Sequence, residues 1–188
     1  MNGARNEGYE VEGHAIVSAD GMIAGADGLM PAPLRNDADW TIFQAALDRA
    51  SVVVVGRLGH RRHPNPGRRR LVFTGAVAGI EADPADPLAI LFNPAGATLE
   101  DALRFGDIRP GVIAVTGGTR VFDHFLGLYD RFALAEVEGF VLPGGTPCFA
   151  QSHPRTALAA SGLEPAERRD IDPPNAVRLT FWRRPAGA

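Results

Sequence analysis

Residues 115–126 read VTGGTRVFDHFL, and the run Val112–Thr116 that leads into them has strand character. It ends in Gly117-Gly118, directly before a stretch, Thr119–Leu126, that reads as a helix. A strand, two glycines and a helix let backbone come close to a phosphate. Glycine takes backbone angles closed to other residues, and a helix N-terminus offers unpaired N–H groups. The same letters also suit an ordinary tight strand-to-helix turn, so the surrounding sequence has to decide between the two.

Upstream, Val52–Val55 is an unbroken β-branched run ending in Gly56-Arg57, the pattern of a strand covered on both faces and hence of a parallel sheet. Further strands are expected at Val11–Ser18, Leu71–Thr74, Leu88–Phe92, Phe132–Val137 and Ala176–Arg183. Asn36 or Asp37 can cap a helix running to about Arg49, with Trp40, Phe43 and Leu47 predicted as its buried stripe. Thr98 and Asp101 fit a capping box that opens a helix to Phe105. Strands alternating with helices predict an α/β fold with a mostly parallel, twisted sheet of about eight strands flanked by helices. Its ligand site should lie at the strands' carboxyl ends. Met22–Arg35 reads as a long mobile loop, and Gly139–Pro154 and Gly162–Asn175 as Gly/Pro-rich connections. Residues 1–10 read as a flexible tail before a single domain, 11–188.

The composition narrows the function. The 188 residues are 45 % hydrophobic and 22 % charged, ordinary values for a globular chain. One cysteine, Cys148, excludes an intramolecular disulfide framework and a multi-cysteine zinc site, including that of the zinc nucleobase deaminases. All nineteen basic residues are arginine, which excludes Walker-type phosphate loops and lysine Schiff bases. A net charge of −3 gives no general attraction to nucleic acid or membrane surfaces, and no run approaches spanning length. The expectation is a soluble, cytoplasmic protein with a small-molecule substrate and neither a nucleic-acid nor a membrane partner.

Arg57, Arg61, Arg62, Arg68, Arg69 and Arg70 crowd six guanidinium groups into one segment, suited to phosphate or carboxylate, although a solvated loop has the same look. Asp39 stands four residues before Phe43. It reads either as a general acid at a pocket edge or as a first-turn acid favoured by the helix dipole. His60 and His63 lack a third ligand, so no metal site is expected.

In order, Ser18-Ala19-Asp20-Gly21-Met22-Ile23-Ala24, Gly28-Leu29-Met30-Pro31, Asp39 with Phe43, Val55-Gly56-Arg57, Pro66-Gly67-Arg68 and Thr116-Gly117-Gly118-Thr119-Arg120-Val121-Phe122 resemble the dihydrofolate reductase superfamily over roughly residues 11–138. The resemblance implies NADPH as cofactor and hydride transfer to a C=N or equivalent group. It implies cofactor contacts at Ala15, Ile23, Gly56, Arg57, Thr74, Gly117, Gly118, Thr119, Arg120 and Val121. Substrate contacts fall at Met30, Asp39, Phe43, Arg61 and Arg68, with Asp39 as the catalytic or ring-binding acid and the Met30-Pro31 segment as a lid.

Two branches of the superfamily compete. Ala32, Gly59 and Ala135 stand where dihydrofolate reductases carry Trp, Thr and Thr. The Ser18-x-Asp20-Gly21 opening, Arg61 and the segment Leu142–Phe149 (LPGGTPCF) are more similar to the pyrimidine reductase of bacterial riboflavin synthesis and its stand-alone relatives. The expected activity is therefore that of a 5-amino-6-(5-phosphoribosylamino)uracil reductase. The alternatives are a dihydrofolate reductase-type activity and a non-catalytic nucleotide-binding member of the fold. By the same resemblance a homodimer is expected.

Overall fold

The computed structural model describes residues 8–63 and 65–185. The chain opens with β1 (Glu10–Ser18) and β2 (Met22–Ala24), a 3-10 turn at Ala32–Leu34, α1 (Asp37–Asp48), β3 (Ala50–Gly56) and α2 (Arg57–Arg62). There follow β4 (Arg70–Phe73), β5 (Ile80–Ala82), β6 (Ala89–Phe92), α3 (Leu99–Phe105), β7 (Val112–Val115) and α4 (Thr119–Phe125). The last elements are β8 (Arg131–Val137), β9 (Thr146–Pro147), α5 (Pro154–Ala160), β10 (Glu164–Asp172) and β11 (Val177–Arg183).

Nine strands form one sheet in the order β10-β11-β8-β1-β7-β3-β4-β6-β5. The six from β8 to β6 run parallel, while β5, β11 and β10 are antiparallel to their neighbours. Alternation along β3 shows why its valines are continuous. Val52 and Val54 enter the larger core layer, and Val53 and Val55 point to the opposite face. The larger layer is closed by Leu103 of α3, Phe122 and Phe125 of α4 and Leu158 of α5. On the other face α1 lays Phe43 and Leu47 over Val53 and Ala114, and Leu34 and Ile42 pack near Ile16 and Ala135. Among the described residues no helix is long and apolar enough to cross a membrane.

Several expectations need correction. Trp40 is not buried but 53 % exposed, and the inward side of α1 runs through Asp39, Ala46 and Leu47. Successive helical residues point about 100° apart, so turning Asp39 in turns Trp40 out. Met22–Arg35 is not a free loop. β2 pairs with β9, the Thr146 hydroxyl donates to the Gly25 carbonyl at 3.0 Å, and Leu34 is buried. That partner lies some 120 residues away in the chain, beyond the reach of a local pattern. The connection Gly162–Asn175 contains all of β10, which pairs only with β11 and is exposed along most of its length, so it lacks a core-facing alternation. Its charges suit an edge strand, where they discourage pairing with other chains. Gly139–Pro154 holds β9 and the first residue of α5, and α2 forms within the arginine-rich segment. Of the expected tail, residues 1–7 lie outside the described residues, whereas Glu10 begins β1 and the Tyr9 hydroxyl donates to the Ile108 carbonyl.

The entry of α1 is fixed by Asn36. Its Oδ1 accepts from the Asp39 backbone N–H at 3.0 Å, and its Nδ2 donates to Asp172 at the end of β10 at 2.7 Å. Asn36→Ala removes both bonds, and the expected loss is about 1–2 kcal/mol of unfolding free energy, to be read from urea denaturation of the two proteins.

Candidate active site

The two glycine turns meet. The Gly56 N–H donates to the Gly117 carbonyl at 3.0 Å, and the Thr116 N–H donates to the Val54 carbonyl at 2.9 Å, so the carboxyl ends of β3 and β7 are stitched together. Here α2 and α4 both begin. Gly117 has φ +108° and Gly118 φ +31°, and a Cβ on Gly117 would stand 2.7 Å from the Phe122 ring, whereas one on Gly118 would meet nothing within 4 Å. The loop therefore leaves bare, open backbone at the start of α4. Around it the guanidinium groups of Arg57, Arg61 and Arg120 are exposed and carry no hydrogen bond or ion pair among the described residues. Val121 is buried against this junction, and the Thr119 hydroxyl donates to the Pro147 carbonyl. Thr74, just beyond β4, is buried and its Oγ1 accepts from the Ala76 N–H at 3.1 Å. Close by, His124 stands edge-on to Phe73 with ring centroids 5.0 Å apart, and its burial holds its pKa below the ordinary histidine value.

On the α1 side, Asp39 is 5 % exposed and lies 3.0 Å, Oδ1 to Nε2, from His14 of β1, itself 7 % exposed. The imidazole packs on Phe43 at 4.9 Å, and Phe43 on Trp40 at 5.7 Å between centroids. The second ring nitrogen of His14, Nδ1, is sealed without a hydrogen-bond partner, which puts the ring hydrogen on Nε2 as a donor to Asp39. Asp39 Oδ2 has no partner among the described residues and is not sealed. His14 is hidden in the sequence, where it stands within the apolar strand Val11–Ser18. The available signal was its parity: Glu12, His14, Ile16 and Ser18 share one face, and a histidine there must meet whatever α1 lays across it. Ala135, buried opposite Ile16 and Leu179, offers Asp39 no hydroxyl.

Other expected residues sit around these two centres. Between α1 and the segment after α2 opens a cleft of about 580 Å³, lined by Trp40, Gln44, Asp48, His63 and Arg68 among others. Arg68 is already engaged there, with Gln44 at 3.0 Å and Asp48 at 2.5 Å. Met30 is exposed, its carbonyl accepts from Arg35 Nε at 3.0 Å, and Arg62 reaches the Gly28 carbonyl, which ties the segment before Met30 to α2. Ala15 is buried in the larger core layer, and Ile23, partly buried, packs against that layer. His60 faces Asp83 at 3.7 Å, and no metal-ligating cluster occurs among the described residues.

This architecture is that of the dihydrofolate-reductase-like fold. Dihydrofolate reductase from Enterococcus faecalis, complexed with NADP(H) and RAB-propyl, is similar at TM-score 0.63 and 19 % identity over 95 % of this chain and 97 % of that one. A putative riboflavin biosynthesis protein from Shewanella sp. PV-4 gives TM-score 0.65 and 19 % identity over 94 % and 99 %. A diaminohydroxyphosphoribosylaminopyrimidine deaminase/5-amino-6-(5-phosphoribosylamino)uracil reductase from Thermotoga maritima gives 0.64 and 15 % over 96 % of this chain, which spans 58 % of that protein. No family model and no curated protein matches the chain.

Gly117→Ala should cost about 2 kcal/mol or more through its positive φ and the clash with Phe122, and Gly118→Ala, although its Cβ meets nothing, about 1–3 kcal/mol, because φ +31° with ψ 165° is backbone that only glycine adopts readily. Chemical denaturation of the two variants measures the difference. The lowered pKa of His124 means that the unfolded chain takes up its proton first as pH falls. Stability is therefore full above the unfolded value, about 6.5, and declines between there and the lower folded value. The melting temperature of His124→Phe should fall less between pH 7 and pH 5 than that of the wild type.

Proposed function

We propose that this protein is an NADPH-dependent reductase of a pyrimidine or pterin-like ring, of the 5-amino-6-(5-phosphoribosylamino)uracil reductase type. The observation that carries the reading is Asp39. It is a buried carboxylate held by His14 and by the cap of α1, with one oxygen left open, in the same fold as the bare glycine turns at β3 and β7. The open oxygen can exchange water for a ligand N–H, while the other stays bonded to His14.

The residues fit the cofactor that this reading needs. Gly117 and Gly118 leave open backbone where a pyrophosphate would approach, and Arg57, Arg61 and Arg120 are free for phosphate groups. Thr74 stands at the adenosine end, and the backbone at Ala15 and Ile23 lines the nicotinamide side. When bound, NADPH supplies the hydride. Asp39 anchors and orients the ring or relays a proton, Phe43 and Met30 flank it, and the segment around Met30 closes to exclude water. Arg68 would exchange Asp48 for an anionic tail of the substrate.

A thermal-shift titration tests the cofactor: NADPH should raise the melting temperature with concentration, and more than NADH does. An NADPH oxidation assay over pyrimidine and dihydrofolate substrates tests the reaction. Asp39→Asn should lower turnover by about 100-fold or more and leave the NADPH shift in place. No shift with either cofactor, or full turnover in Asp39→Asn, would overturn the assignment.

A further inference from the structure

His14 is buried beside Asp39, at 6 % side-chain exposure against 8 % for Asp39. It makes one side-chain hydrogen bond, from Nε2 to Asp39 Oδ1 at 3.0 Å, and its Nδ1 is sealed with no acceptor or donor in reach. Pulling Oδ1 away would leave both ring nitrogens buried without partners, a state that folded proteins avoid. The ring cannot swing out to water either, because Phe43 packs on it at 4.9 Å, with Trp40 behind at 5.7 Å. A carboxylate oxygen has two lone-pair sites; His14 takes one of those on Oδ1 and turns that oxygen toward β1, which leaves Oδ2, with no partner among the described residues, as the oxygen that faces a ligand.

Resting on the reading of Asp39 as the ring anchor, we propose that His14 is a specificity-determining residue: by turning Oδ1 toward β1 it leaves Oδ2 as the acceptor that a ligand meets, matched to a lactam or imide edge and mismatched to an amidine edge. An amidine edge carries two parallel N–H donors and is best met by both oxygens of a free carboxylate in a fork. An imide edge carries one N–H flanked by carbonyls. It needs a single acceptor, and a second free carboxylate oxygen beside its carbonyl would repel it. His14 thus favours dioxo rings over diamino rings at the same position. It acts through Asp39 and is a positioning residue.

Lumazine (pteridine-2,4-dione) and 2,4-diaminopteridine share one bicyclic frame and differ only at this edge. Fluorescence titration of the full chain, saturated with NADPH, gives a Kd for each. The wild type should prefer lumazine. His14→Leu, which fills the space but donates nothing, should move the ratio of the two constants at least tenfold toward the diamino ring. His14→Gln, which keeps a terminal N–H, should restore it. A merely structural role would weaken both ligands together and leave the ratio alone. Should His14→Leu fail to fold, the wild-type ratio and His14→Gln carry the test. A wild type that prefers 2,4-diaminopteridine, or a ratio unchanged in His14→Leu, overturns the role of His14 while Asp39 remains the anchor. Binding of neither ring to the NADPH-bound protein overturns the ring-anchor reading itself and this inference with it.

Discussion

The inward turn of Asp39 sets how α1 lies on the sheet, and the places of its neighbours follow from it. A carboxylate pointed at β1 needs a donor there, and His14 provides it at 3.0 Å. Because the helix advances about 100° per residue, the neighbouring Trp40 is thrown out to the rim, where it lines the open side of the cleft. Phe43, one turn on, covers the imidazole and continues into the layer formed with Leu47, Val53 and Ala114. The same helix start is held at its other side by Asn36, whose two ends grip the Asp39 backbone and Asp172. One residue thus joins the capping of a helix, the packing of a core face and the chemistry of a pocket.

Other buried charges show by contrast why Asp39 reads as functional. Glu136, 3 % exposed, receives Arg155 through Nε at 2.9 Å and Nη2 at 2.8 Å, a two-pronged ion pair that clamps α5 to β8. Arg70, 1 % exposed, reaches Asp86 at 2.6 Å and holds the segment before β6 against β4. Both follow the rule that a buried charge is tolerated when a close opposite charge and hydrogen bonds offset its lost hydration. Asp39 has a single imidazole N–H and its own helix start, and keeps an oxygen in reserve. Asp20 sits between these cases. Partial burial raises its pKa, but the Ser18 hydroxyl and the Leu142 N–H outweigh that and hold it below the usual carboxylate range, tying the end of β1 to the loop before β9.

What could be read in advance follows the range of the forces involved. The valines of β3, the capping box of Thr98 and Asp101, and the glycines at 117 and 118 are local signals, and they appear where expected. The pairing of β2 with β9 and the strand β10 depend on distant partners and carry little apolar pattern, so neither was legible. At the candidate site the glycine turns and Asp39 were legible. Its partner was not, because a histidine on a strand signals nothing until the element crossing that face is known. The outward Trp40 was misread for the same reason: an aromatic stripe and a buried acid compete for the same side of a helix, and only the imidazole on β1 decides between them.

That competition bears on what the fold similarity can mean. At 15–19 % identity the shared architecture places strands, helices and glycine turns, and it reaches a dihydrofolate reductase and a uracil-type reductase equally well. The turn at Gly117 and Gly118 exposes backbone, and backbone N–H groups meet a phosphate without regard to the rest of a ligand. Discrimination between rings has to come from side chains that meet the ring edge. On the proposed reading those are Asp39 and the Phe43 face, and the group that holds the Asp39 carboxylate is His14. On that reading, the part of the site that would separate one substrate class from another is the part that the fold does not dictate: a polar side chain at an inward position of β1, facing a carboxylate on α1.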